Sequence, residues 1–321
     1  MKGYGTMAPT TTTATTGAAS NNNKSSNESI TENKLHSSTT TTTTTTSTEP
    51  KSAVPLDVPA LVAPMKATHA SGENQSLAWR RQNLQLLKRM LMENKDAIEQ
   101  AAHQDIGKVS TEIWVAECMA ILAEIDVLLS GLRKWMRPVR KAAATHAFPS
   151  FCQTRRVPLR GPAVLVIGPS NYPVLLSLAP AAGAIAGGNP VVMKPSEQCP
   201  QTAALLERMV NETFDPSVFR VVQGGVVETT ALLQQEWGKV FFTGSGRVGR
   251  IVAEAAAKTL TPCVLELGGK SPVYVDKDLY NVKLVAERLV WGKFWNAGQT
   301  VCLFVCVCVC VCVVALWLVT I

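Results

Sequence analysis

Ala163-Val164-Leu165-Val166-Ile167-Gly168 is an unbroken apolar run closed by glycine, and Pro169-Ser170-Asn171-Tyr172-Pro173 follows at once. A strand with one wet face alternates apolar and polar residues. A run without alternation predicts a strand covered on both faces, as in parallel sheets. The pattern repeats downstream. Residues 175–187 are rich in small residues and predict a helix, and 190–194 predict a second strand. A helix over 202–214, a strand over 218–223, a helix over 228–237, a strand over 239–243, a helix over 248–259 and a strand over 262–267 complete the series. Strand–helix alternation of this kind predicts βαβ units and an α/β, doubly wound parallel sheet. Ligands of such sheets bind beyond the carboxyl ends of the strands.

Upstream, residues 76–141 carry apolar positions at helical spacing. Leu84, Leu87 and Leu91, with Met90, form one stripe; Ile113, Val115, Met119, Leu122, Ile125 and Leu128-Leu129 form another. Both predict amphipathic helices packed on a larger core. The net charge is +7, and the densest basic group is Arg133, Lys134, Arg137, Arg140 and Lys141. It closes a helix, where cations suit the carbonyl end of the dipole. That is a solvated helix end, and no nucleic-acid partner is expected. Of nine cysteines, Cys118, Cys152, Cys199 and Cys263 are scattered and the rest lie beyond residue 300. No zinc-ligand spacing appears, so no metal is expected, and the scatter suits a reducing cytoplasm.

The two ends read differently. Residues 10–16 and 39–46 are Thr-rich and 20–38 are Asn/Ser-rich, with few large apolar side chains to offset the entropy of ordering. Residues 1–70 are therefore expected to be a disordered tail. They lack the apolar stretch of a secretory signal, and Glu without Arg argues against a transit peptide. Residues 301–321 contain no charge and include Val305-Cys306-Val307-Cys308-Val309-Cys310-Val311-Cys312-Val313. Their length fits a membrane span, and their β-branched alternation fits an aggregation-prone strand. A GT dinucleotide repeat also translates as Val-Cys, so the favoured expectation is read-through into an intron.

Phe241-Phe242-Thr243-Gly244-Ser245-Gly246-Arg247-Val248-Gly249 contains a G-x-G-x-x-G after a strand and before a helix, a turn suited to a pyrophosphate at a helix N-terminus. On this motif alone the chain is a generic dinucleotide binder, with Glu266 as the ribose carboxylate. Three expected strands precede the motif, however, whereas it ordinarily opens a sheet.

Further motifs narrow the reading. They are Pro169-Ser170-Asn171-Tyr172-Pro173, Gly188-Asn189-Pro190-Val191-Val192-Met193-Lys194-Pro195-Ser196-Glu197, Phe242-Thr243-Gly244-Ser245, Leu265-Glu266-Leu267-Gly268-Gly269-Lys270-Ser271-Pro272 and Asn296-Ala297-Gly298-Gln299-Thr300. In order and spacing the chain from about Ala78 to Thr300 resembles the aldehyde dehydrogenase superfamily. Gly292-Lys293-Phe294 and Lys258-Thr259-Leu260-Thr261-Pro262 are most similar to its class 3, fatty-aldehyde-dehydrogenase-like branch. The resemblance implies NAD(P)-dependent oxidation of a small-molecule aldehyde, of medium or long chain, to a carboxylate through a cysteine thioester. It implies Asn171 as oxyanion donor and Glu266 as the base that activates the hydrolytic water, its pKa raised if the strand end is buried. It implies Lys194 and Glu197 on the adenosine ribose, with Ser245, Gly244 and Gly249 around the pyrophosphate. A carboxylate at Glu197 disfavours a 2′-phosphate, so NAD is the expected coenzyme and NADP the other candidate.

The sequence departs from the family at the nucleophile. The family places Cys directly after Gly-Gln-x; here that position is Val301, and Cys302 comes one residue late. The expected organisation is a tail over 1–70, N-terminal helices with the NAD(P)-binding domain over 71–265, the start of a catalytic domain over 266–300, and an aberrant Val/Cys tail over 301–321. The chain is thus expected to be a truncated, inactive dehydrogenase in the cytoplasm, without the family's homodimer. The alternative is a catalytically dead nucleotide-binding protein attached to a membrane through 301–321.

Overall fold

The computed structural model describes residues 56–142, 149–276, 278 and 280–300, together with the backbone of 304–309. The fold begins earlier than the composition predicts. Helix α1 (Val58–Ser71) occupies the last part of the expected disordered tail. Asp57 caps it by accepting from the Ala60 amide at 3.0 Å, and Gly72 closes it in the left-handed region at φ 75°. Val58, Val62 and Met65 recur every three to four residues and are buried. That stripe supplies the apolar area that the Thr-rich residues lack. Residues 1–55 lie outside the described residues.

Helices α2 (Leu77–Glu93), α3 (Lys95–Ile106), α4 (Ser110–Ile113) and α5 (Met119–Trp135) follow. Leu84, Leu87, Met90 and Leu91 are fully buried, as their spacing predicts. The second stripe is only half right. Ile113 and Ile125 are buried, whereas Val115 and Met119 are exposed, and Cys118 and Ile121 take the inward positions. The cause is one π-helical turn over Trp114–Cys118, whose extra residue rotates everything after it. An exposed antiparallel ribbon, β1 (Val139–Lys141) with β2 (Cys152–Thr154), leads to the sheet.

The central elements are β3 (Val164–Ile167), α6 (Leu175–Ala186), β4 (Val191–Lys194), α7 (Pro200–Thr213), β5 (Phe219–Val221), α8 (Val226–Leu233), β6 (Lys239–Gly244), α9 (Gly246–Lys258) and β7 (Cys263–Leu267). The five strands form a parallel sheet in the order β5-β4-β3-β6-β7. All residues of β3 and β4 are buried. Successive side chains of a strand point to opposite faces. Val164 and Val166 accordingly enter one core with α2, α5, α6 and α7, while Leu165 and Ile167 enter a second core with α1 and α9. The unbroken apolar run therefore serves two cores. The chain winds from β3 out to β5, then returns to the other side of β3 with β6. The junction of β3 and β6 is the topological switch point.

Beyond β7 come β8 (Ser271–Val275), α10 (Val282–Phe294) and β9 (Phe304–Val309). β9 pairs in parallel with β8, Val273 opposite Val307. Part of the Val/Cys segment is therefore a strand of a small βαβ unit. Among the described residues no helix is long and apolar enough to cross a membrane.

Candidate active site

A groove of ≈ 530 Å³ opens at the carboxyl ends of β3, β4 and β6, on the switch point. The resemblance to family motifs points to the same place. Lys194 ends β4; its side chain is buried, and its Nζ meets Glu197 Oε2 at 2.5 Å. Burial pushes the Glu197 carboxyl up, but the Lys194 hydrogen bond, a backbone hydrogen bond and the Lys194 charge together prevail and hold it below its ordinary value. Ser245 caps α9, its hydroxyl accepting from the Val248 amide at 3.3 Å. The groove thus ends on the N-terminus of α9, whose dipole suits an anion. Thr243 also lines the groove, and its buried hydroxyl has no hydrogen-bond partner among the described residues. A larger, mostly apolar cleft of ≈ 800 Å³ lies at the amino ends of β3 and β6, lined by Trp135, Arg156, Lys239 and Phe241 among others. It contains none of the expected catalytic or coenzyme-binding residues.

The second half of the site is a junction between two loops. Asn171, in the loop after β3, donates from Nδ2 to the Gln299 carbonyl at 2.5 Å. Asn296 returns the contact, Nδ2 to the Asn171 carbonyl at 3.0 Å, and the Asn296 amide donates to Glu112 Oε1 at 2.7 Å. The Tyr172 hydroxyl and Thr300 Oγ1 are 2.7 Å apart. Burial raises the Tyr172 pKa, so the phenol stays protonated and able to donate. Asn296, Ala297 and Gly298 all have positive φ (53°, 53° and 77°). A run of left-handed residues is costly except at glycine. The docking bonds hold this turn in place.

Five of the expected site residues stand in this region: Asn171, Lys194, Glu197, Gly244 and Ser245 all belong to the groove or the junction. Gly249 does not line the groove. It is buried in α9, where an added Cβ would meet Leu267 Cδ2 at 2.7 Å, so its smallness serves the packing of α9 on β7. Glu266 stands at the carboxyl end of β7, in register with Thr243. The expected buried strand end is not found. β7 is the sheet's edge, Glu266 is exposed, and its carboxylate makes no hydrogen bond or ion pair among the described residues. Val301 and Cys302 lie outside the described residues. Of the described cysteines, Cys118 and Cys199 are pushed up by burial, and then by neighbouring carboxylates, to about 12 and about 11, so both remain thiols.

Sequence reasoning missed Lys108, Glu112 and Glu117, which carry the loop junction. No motif marks them. Buried charge in a helical region was the available signal, but burial is not visible in a lone Lys or Glu.

Comparison with known proteins agrees with the fold. The aldehyde dehydrogenase family model matches residues 27–315. Aldehyde dehydrogenase family 3 member I1, chloroplastic, of Arabidopsis thaliana is 43% identical over 240 residues, which are 74% of this chain and 43% of that protein. The substrate-bound Staphylococcus aureus AldH superposes with a TM-score of 0.75 at 35% identity, over 78% of this chain and 54% of that one. The Mycobacterium tuberculosis aldehyde dehydrogenase complexed with NAD+ gives 0.67 at 28%, over 78% and 51%. The chain spans about half the length of the curated relatives it matches.

Proposed function

Because this chain belongs to the aldehyde dehydrogenase family, we propose that its site serves NAD(P)-dependent oxidation of a medium- or long-chain aldehyde to a carboxylate. One observation carries this reading: the loop after β3 lines the groove with Pro169 and Ser170, and its next residue, Asn171, donates to the Gln299 carbonyl of the segment leading to Cys302.

The residues divide the work. A thiolate attacks the carbonyl carbon, a C–S bond forms, and the carbonyl electron pair moves to oxygen. Asn171 donates to that oxyanion, a contribution of about 3 kcal/mol for comparable donors. A bound nicotinamide would supply the hydride acceptor for the tetrahedral carbon. Glu266 takes a proton from water as it attacks the thioester, and the thiolate departs. Lys194 and Glu197 would hold the ribose, and the carboxylate would favour NAD over NADP by repelling a 2′-phosphate. The α9 N-terminus at Ser245 and the unpartnered Thr243 hydroxyl suit the pyrophosphate. Residues 71–265 act as the coenzyme domain and 266–300 open the catalytic one.

Cys302 is the proposed nucleophile, one position later than Val301. A misplacement near 1 Å costs on the order of 10²-fold in rate. The 321-residue chain is therefore expected to bind NAD and to turn over an aliphatic aldehyde slowly or not at all. Titration with NAD and a steady-state assay with decanal check this. Failure to bind NAD sinks the proposal. Robust turnover that survives Glu266→Gln but not Cys302→Ala removes Glu266 from the mechanism.

A further inference from the structure

The loop carrying Asn171 is gripped from beneath by two charges that the proposed chemistry does not use. Lys108 and Glu117 are 5% and 0% exposed, and Lys108 Nζ meets Glu117 Oε1 at 2.6 Å. A buried ion pair seldom stabilises more than an apolar pair of the same shape. What this pair touches is therefore the informative point.

Lys108 Nζ donates to the Asn171 carbonyl at 3.0 Å and lies 4.0 Å from the centre of the Tyr172 ring. Glu117 Oε2 accepts from the Val174 and Leu175 amides at 2.9 and 3.0 Å, at the start of α6. The pair thus holds the middle of the loop between β3 and α6 and its α6 end. The same two loop residues, Asn171 and Tyr172, carry the bonds to Asn296, Gln299 and Thr300. Glu117 sits within the π turn Trp114–Cys118. At the far end, Lys108 is placed by the left-handed Gly107 and by a hydrogen bond between its carbonyl and His103 Nδ1 at 2.9 Å. Irregular backbone at both residues aims the charges at one loop.

We propose that Lys108 and Glu117 are positioning residues, a buried charge clamp that docks residues 296–300 onto the coenzyme domain by fixing Asn171 and Tyr172. Its meaning for catalysis rests on the function proposed above; the docking itself does not. Catalysis would feel the clamp through Asn171. With the loop fixed, the amide needs only to turn from the Gln299 carbonyl to a substrate oxygen.

The test is hydrogen–deuterium exchange by mass spectrometry on the full chain, comparing wild type, Lys108→Met, Glu117→Gln and the Lys108→Met/Glu117→Gln double variant. Lys108→Met alone strands a buried carboxylate and risks unfolding. The double variant removes both charges, keeps a side-chain oxygen at position 117 to accept from the α6 amides, and removes the donor to Asn171. The expected result is exchange about tenfold faster over 292–300 in the double variant, with β4 and α9 unchanged and a melting temperature near wild type. If only 106–118 and 172–176 loosen while 292–300 exchanges as in wild type, the pair is purely structural and the proposal falls. Uniformly faster exchange with a lowered melting temperature overturns it equally. NAD titration of the wild-type chain separates the two readings: absent binding sinks the dehydrogenase assignment, and the exchange result on the clamp still stands.

Discussion

Glu197 shows how one contact shapes a binding residue. Its carboxyl lies below the ordinary value because the Lys194 bond outweighs desolvation. A depressed carboxylate stabilises the fold above its unfolded value and loses that contribution as pH falls through the folded value. The difference in urea midpoint between wild type and Glu197→Gln should therefore stay constant from neutrality down to about the ordinary 4.5 and close beneath it. A difference unchanged into strong acid would mean that the pair contributes nothing to folding. Ala297 offers the opposite case. It is exposed and held at φ 53°. Ala297→Gly should remove a left-handed penalty of about 1 kcal/mol and raise the thermal midpoint. Lys194, Glu197 and Asn171 stood out only because the motifs around them resemble the family's; residue type alone marks none of them, and the structure places them at the groove or the loop junction. The exposure of Glu266 was not legible, because burial at a strand end depends on what covers the neighbouring face.

Among the elements, β3 and β4 were the most legible. A strand buried on both faces must be apolar throughout, and Val164–Ile167 is. α1 was hidden by its neighbours: Val58, Val62 and Met65 make a short stripe at the end of a Thr- and Ser-rich stretch. The π turn was hidden for another reason. No residue type demands it, and only the exchange of Val115 and Met119 for Cys118 and Ile121 on the inner face reveals it. Met65 is 0% exposed and packs in the same core as Leu165 and Val192. Met65→Ala should cost about 2–5 kcal/mol, read as a lower urea midpoint. An unchanged midpoint would show that α1 is not docked in solution.

At the scale of the whole molecule, apolar surface gathers beyond β6. Val264, on edge strand β7, is 38% exposed, and Val290, Trp291 and Phe294 on α10 are between 57% and 68% exposed. An open strand edge with apolar neighbours is a template for further pairing. The purified chain should self-associate with rising concentration, measurable by light scattering, and Val264→Lys should reduce it. A monodisperse preparation at every concentration would count against an adhesive edge. The central strand has a further consequence. Val164 sits opposite Val191 on one side and Lys239 on the other, so half of its backbone partners arrive much later in the chain. During synthesis, the edge of β3 that receives β6 stays open until the ribosome has passed Gly244. A long-range closure of that kind is slow, and it makes the nascent polypeptide a natural client for chaperones that shield unfinished sheets.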